Sequence, residues 1–291
     1  MKKQAILLVT SALLLSGCGK ANSIINQYRK KVGGTVEYST FVSKLSDAVS
    51  NLQSGEFWDL ITAGTPKSCV VTTGNYYQEE TVTKTTTGFV STYKETYVET
   101  SNAEYDEKND VLHYASTEDY NEKILSGKKV VYDETDYEES EYYVSKDVEI
   151  NVVANTYELT SNTPASEPAY EISSIVGSMA SLVSISEDAD SKYHINGTLF
   201  TIEGKSKASD SYGETATGSI AGRIQVNVDP NDLFVYYYSD MSGVKYTNSD
   251  DEEINYKKNV SVDYRSIKSK DVKVKMPSLT KFINEDLMVI S

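Results

Sequence analysis

Alternation is the feature that most constrains this chain. Tyr93, Glu95, Tyr97 and Glu99 occupy one phase of a stretch whose other phase is Lys94, Thr96 and Val98. Val148, Ile150 and Val152 alternate with Glu149 and Asn151, and Ile220, Ile224, Val226 and Val228 with Gln225 and Asn227. Val260, Val262 and Tyr264 repeat the pattern, as do Val272, Val274 and Met276 against Lys273 and Lys275. A period of two sends successive side chains to opposite faces of a strand. The aromatic content agrees, with 23 Tyr against 6 Phe and 1 Trp. Tyrosine favours strands and keeps one end wet, so these are half-polar sheet faces rather than the walls of a thick apolar core.

Turn signals separate the alternating runs. Glu107-Lys108-Asn109-Asp110 and Ser126-Gly127 mark two hairpin turns, and Asp229-Pro230-Asn231-Asp232 a third turn. Leu233–Ser239 and Gly243–Thr247 read as a hairpin about Asp240-Met241-Ser242. The span 69–161 holds four to six antiparallel strands. The densest acidic runs, Asp133 to Glu139 and Asp250 to Glu253, read as solvated loops or strand ends. Neither has the Asp-x-Asp-x-Asp-Gly spacing of a calcium loop.

Two stretches change period. Phe41, Leu45, Ala48 and Leu52 recur at three and four residues, with Val42 and Val49 beside them, and predict a helix capped by Ser39 or Thr40 and ended by Gly55. Phe57, Trp58, Leu60 and Ile61 form an apolar cluster after it. Ile172, Ile175, Val176, Met179, Leu182 and Val183 predict a second helix over 168–186, opened by Pro168. Its other face is Ser, Ala and Gly, with no charge from Ile172 to Ser186. A surface helix carries charge outside, so this one is enclosed, lies close against a sheet, or covers something.

The fold class is therefore α+β. Two architectures fit: one large curved antiparallel sheet packed on the N-terminal and mid-chain helices, or two tandem helix-plus-four-strand units divided near residue 163. No residue-level repeat links the halves, which favours the single sheet. Residues 36–291 form one domain on that reading, preceded by a polar tether over 18–35.

The N-terminus says where such a domain sits. Lys2 and Lys3 precede a mostly apolar run from Ala5 to Leu15, followed by Leu15-Ser16-Gly17-Cys18. The run has secretory length and is too short to span a bilayer. Charge, apolar run and Leu-Ser-Gly-Cys in this order resemble the signal and lipobox of bacterial lipoproteins. The resemblance implies a signal peptide over 1–17, cleavage before Cys18, and diacylglycerol on the Cys18 sulfur as the one covalent addition. Two acyl chains hold a protein stably at a membrane. Gly19 follows, and the absence of Asp there points to the outer membrane if the cell has two. Without Lys2 and Lys3, the 28 basic residues become 26 against 43 acidic, so the mature net charge is −17. That acidity excludes a nucleic-acid partner, which needs basic surface. Arg29-Lys30-Lys31 lies in the tether, near the anchor. Cys69 is left as a lone thiol that reads as a small buried residue.

Signatures of chemistry are absent from the sequence. There is no G-x-S-x-G, no H-E-x-x-H and no phosphate-cradling glycine loop. His113 and His194 are the two histidines, each within a strand and without a local motif. No metal site and no cofactor is expected. A lipobox cysteine, an N-terminal helix, long antiparallel strands and an uncharged mid-chain helix together resemble the lipoprotein-carrier (LolA-like) class. In that class a half-barrel, its concave face covered by helices, holds lipid. The expectation is a non-enzymatic, lipid-anchored binding protein on the extracytoplasmic face of the membrane. It would carry a lipid or other apolar ligand between sheet and helix, with Ile172, Ile175, Val176, Met179, Leu182 and Val183 facing it. An envelope protein or glycan interaction module is the alternative, and an acid-base hydrolase comes third.

Overall fold

The computed structural model describes residues 30–54, 68–78, 82–86, 89–145, 148–153, 156–161, 187–210, 215–247, 253–256 and 260–277. They form one helix, α1 (Tyr38–Gln53), and sixteen strands of a single sheet. The first eight strands are β1 (Gly34–Val36), β2 (Cys69–Gln78), β3 (Val82–Thr86), β4 (Phe89–Asp106), β5 (Val111–Ser126), β6 (Lys129–Ser145), β7 (Val148–Val153) and β8 (Thr156–Ser161). The rest are β9 (Lys192–Asn196), β10 (Leu199–Lys207), β11 (Thr215–Thr217), β12 (Ser219–Asn227), β13 (Leu233–Asp240), β14 (Lys245–Thr247), β15 (Glu253–Tyr256) and β16 (Val260–Ser269). Every pairing is antiparallel.

The order is β1–β9–β10–β12–β13–β16–β2–β4, continued on the other edge of β4 by β5–β6–β7–β8. A second row, β3–β15–β14–β11, leaves the same edge of β4 as β2. The registers show that this is not a true branch. Val260 pairs with Gln78 and Tyr256 with Val82, so β16 and β15 face β2 and β3 without a slip. Asp240 pairs with Val260 and Lys245 with Asn255, again without a slip. Each pair of short strands is thus one long strand with an interruption. One residue is gained where Ala221 pairs with Asp240 but Thr217 with Lys245. That bulge falls at Gly218, whose φ of 102° suits glycine and whose Cα sits against the Gly243 carbonyl.

The structure corrects several sequence expectations. Gly243–Thr247 does not fold back on Leu233–Ser239. Asp240 to Gly243 has turn composition, but partners on both sides hold the two segments in one line. Asp133–Glu139 is likewise no loop; it lies inside β6. The tether is shorter than expected, because β1 pairs with β9 and Lys30 already touches the sheet. Val272 and Val274 are buried as their alternation requires, but their segment is not a strand. The turns at 107–110, 127–128 and 230–232 fall where the sequence places them.

α1 begins after Glu37, which gives no side-chain cap, and ends at Gln53 with Ser54 as the cap. Ser39 and Thr40 lie within its first turn. Phe41, Leu45, Val49 and Leu52 bury one stripe against Tyr193, Phe200, Val226, Val235 and Ile267 of the sheet. Phe41 meets the Tyr193 and Phe200 rings with centroids 5.3 and 5.6 Å apart. The opposite sheet face is also buried, through Tyr76, Phe234, Tyr236, Val262 and Tyr264. Tyr264 lies over Gly74, where a Cβ would strike its ring. Lys30 crosses this second face. Its N–H donates to Gln225 Oε1 at 3.1 Å and its carbonyl accepts from Gln225 Nε2 at 3.2 Å. The architecture is a large antiparallel sheet with a helix packed on it. The predicted helix over 168–186 and the cluster Phe57–Ile61 lie outside the described residues.

Candidate functional site

Cross-strand partners in an antiparallel sheet carry side chains on the same face, so registers assign whole rows. Ile202, Ile224, Tyr237 and Asp263 form one row across β10, β12, β13 and β16. Gly204, Gly222, Ser239 and Ser261 form the next, two residues further from the core. Ile202, Ile224 and Tyr237 pack against the α1 core, so both rows lie on the α1 face. Large side chains stand on the core side, and small ones make a trough beside them. Ile220 and Ser206 bound it beyond, and the Asp188–Ser191 loop walls it. The result is an open cleft of about 380 Å³, within the usual span of small-ligand sites, roughly 300–1,000 Å³.

The two glycines of the trough differ. A Cβ on Gly204 would meet Ser191 Oγ at 2.6 Å, so Gly204 lets the loop close over it. A Cβ on Gly222 would find nothing nearer than the Tyr238 carbonyl oxygen at 3.9 Å. Gly222 has no positive φ. Glycine inside a strand costs about 0.5–1 kcal/mol relative to a residue with a side chain. Nothing in the strand's own packing requires it at 222; what it leaves is room in the cleft.

Two carboxylates reach the cleft. Asp188 is occupied: its oxygens accept from Ser191 Oγ at 2.9 Å and the Asp190 N–H at 3.2 Å. Asp263 is half-buried, and no hydrogen bond reaches its carboxylate among the described residues. Burial lifts its pKa above the ordinary carboxylate range; Arg265, two residues along, opposes this and Glu99 adds to it. Lys205 and Arg223 also border the cleft, but alternation sends their side chains to the other face. There Arg223 pairs with Glu203.

The Asp263 row continues through Asn75 to Glu99, Glu118 and Glu138. A parallel row holds Glu95, Glu122 and Glu134. Like charges directly opposite are unfavourable. Tyrosines beside the rows, Tyr97 and Tyr120 between them and Tyr93 beyond, bind them along each strand. The hydroxyls of Tyr93, Tyr97 and Tyr120 donate to Glu95, Glu99 and Glu122 at 3.1, 3.0 and 2.7 Å. Burial and these acceptors push the Tyr93 and Tyr97 pKa values well above normal. The α1 face is thus strongly acidic from the cleft outward.

The histidines do not join the cleft. His113 stacks on Tyr143 and lies 2.8 Å from Glu141. His194 is buried on the face opposite α1, with Nδ1 3.4 Å from Thr35 Oγ1 and Nε2 3.7 Å from Glu203. Cys69 is buried in the α1 core. Cys18 and the ligand-facing candidates Ile172, Ile175, Val176, Met179, Leu182 and Val183 lie outside the described residues. Gly222 and Asp263 were not among the residues that the sequence singled out. An isolated glycine within an alternating run was the available signal for the first; the second had none.

No family model matches the chain, and no curated protein matches it. Among solved structures it is similar to LprF from Mycobacterium bovis, a crystal structure, at 11% identity. The match covers 80% of this chain and 97% of that one, with a TM-score of 0.25. At that score too little backbone superposes for a shared fold to follow.

Proposed function

We propose that this chain is a lipid-anchored, extracytoplasmic, non-enzymatic binding protein that holds an apolar ligand in the cleft across β10, β12, β13 and β16. The observation that carries the reading is Gly222, a mid-strand glycine kept open on the floor of a cleft walled by Ile202, Ile220, Ile224 and Tyr237. The lipobox supports the anchor. Eleven residues, and so twelve Cα–Cα steps, separate Cys18 from Lys30, where the chain meets the sheet. Fully extended they span at most about 40 Å, so the cleft works close to the membrane, where apolar ligands are found.

Mass spectrometry of organic extracts from purified wild-type and Gly222→Val protein tests the cleft. Co-purifying apolar material is expected with the wild type and at least tenfold less with the variant; equal amounts in both refute the assignment. Labelling cells with a tagged fatty acid tests the anchor. Wild type is expected to be labelled and Cys18→Ser unlabelled, and an unlabelled wild type overturns it.

An interaction module is favoured by one separate feature. β6 pairs with β7 only from Glu141 to Ser145, and its residues 129–140 are all exposed. Among the described residues this leaves an open, acidic strand edge with Tyr132 and Tyr137 on it. The partner it fits is an extended basic segment of an envelope protein, added as a further strand. Proline at Thr135 or Glu139 would block such addition, and pull-downs unchanged by both substitutions would exclude it.

A further inference from the structure

We infer that the cleft selects ligands with a cationic head and an apolar tail, with Asp263 as the counter-charge for the head. This rests on the cleft being the binding site and adds the chemical class of what enters it.

The row Ile202–Ile224–Tyr237–Asp263 has two chemically different ends. It is apolar at one end and ends in a carboxylate at the other. Adjacent strands lie about 4.8 Å apart, so Asp263 stands about 14 Å from Ile202 across three spacings. A ligand lying across the strands would place a tail on Ile224 and Ile202 and a head at Asp263. Asp263 is suited to receive that head because nothing among the described residues hydrogen-bonds to it. The other acid at the cleft, Asp188, already holds its own loop. A half-buried carboxylate is costly to leave without a hydrogen-bond donor, and the charge of Arg265 offsets only part of that cost. Its raised pKa records that cost, and an incoming cation would remove it.

The surroundings give the same sign. The cations bordering the cleft, Lys205 and Arg223, turn their side chains away from it. Arg265 shares the Asp263 face but does not line the cleft. On the far side of Asp263 the Glu99–Glu118–Glu138 row extends the negative field across three strands. Such a field draws cations inward and raises their local concentration, and it repels fatty-acid or phosphate heads. A neutral amphiphile would gain only the apolar contacts.

Titration calorimetry on the soluble mature domain, at concentrations below micelle formation, separates the cases. The probes share a ten-carbon chain: decyltrimethylammonium, decanoate and decyl glucoside. Wild type is expected to bind the cation at least tenfold more tightly than either of the others. Asp263→Asn should lose that preference, binding the cation and decyl glucoside within twofold of each other. Equal binding of cation and neutral probe by wild type, tighter binding of decanoate, or a preference that survives in Asp263→Asn overturns the head-group assignment. In each of those outcomes the cleft itself stands if Gly222→Val abolishes binding. If wild type binds none of the three, or Gly222→Val changes none, the cleft reading fails and the head-group inference fails with it. The wild-type comparison needs no variant, so misfolding of Asp263→Asn would not leave the preference unread.

Discussion

Replacing Gly222 with valine should stabilise this protein while closing its cleft. The strand backbone at 222 is not in the left-handed region, and the nearest atom to an added Cβ is 3.9 Å away. Two effects then favour valine. It removes the conformational entropy that glycine loses on folding, about 0.5–1 kcal/mol. It also supplies a β-branched side chain beside Ile220 and Ile224, on a propensity scale spanning about 1 kcal/mol. The expected gain is about 0.5–1.5 kcal/mol. For a body of this size each kcal/mol moves Tm by about 2–4 °C, so the variant should melt about 1–6 °C higher. Gly74→Val is the control. There the added carbons strike the buried Tyr264 ring, and overpacking of this kind costs about 1–3 kcal/mol. Scanning calorimetry and urea titration of both variants read the difference. If Gly222→Val lowers stability by 1 kcal/mol or more, glycine is needed by the fold there, and the inference from an open glycine to a ligand is refuted.

Three further outcomes follow from the same structure. Gln225→Ala removes both hydrogen bonds that hold the Lys30 peptide, together with its bond to Thr201 Oγ1 at 3.1 Å. Stability should fall by about 1–3 kcal/mol, and limited trypsin digestion should cut faster after Lys30 or Lys31. The Asp106 carboxylate would be raised by burial, but bonds from Asn109, Val274 and Lys108 outweigh this and hold it below the usual range. Its contribution is therefore complete above the unfolded value, about 3.9, and is lost as pH falls through the lower folded value. Asp106→Asn should flatten the acid limb of a urea midpoint against pH curve; an unchanged limb would refute the role. Burial pushes the Cys69 thiol up to about 11. At pH 8 it should resist a thiol reagent in folded protein and react promptly in denaturant, and fast labelling of the native state would contradict its buried position.

Much of the sheet was legible in the sequence. Most period-two runs give the right strands because pleating forces alternate side chains apart, and the Ile220–Val228 run even named the correct faces; Val272–Met276 alternates in burial without pairing as a strand. The N-terminal helix followed from Phe41, Leu45 and Leu52 for the equivalent reason at a longer period. Local composition misleads where it has two structural uses. Asp240 to Gly243 looks like a hairpin turn, and only the flanking strands show that it interrupts a continuing line. Asp133–Glu139 looks like a solvated loop because acids rarely crowd a strand. An open edge with tyrosine partners tolerates them there.

The sequence by itself determined the elements that depend on a residue and its near neighbours: most strands, the first helix, most turns and the acidity. Tertiary structure alone decided which residues meet. Ile202, Gly222, Tyr237 and Asp263 are tens of residues apart, and no local pattern links them. Their proximity is set by strand register, a long-range property fixed by hydrogen-bond ladders between distant segments. A slip of one residue would turn Asp263 to the opposite face, and the cleft would lose its charge.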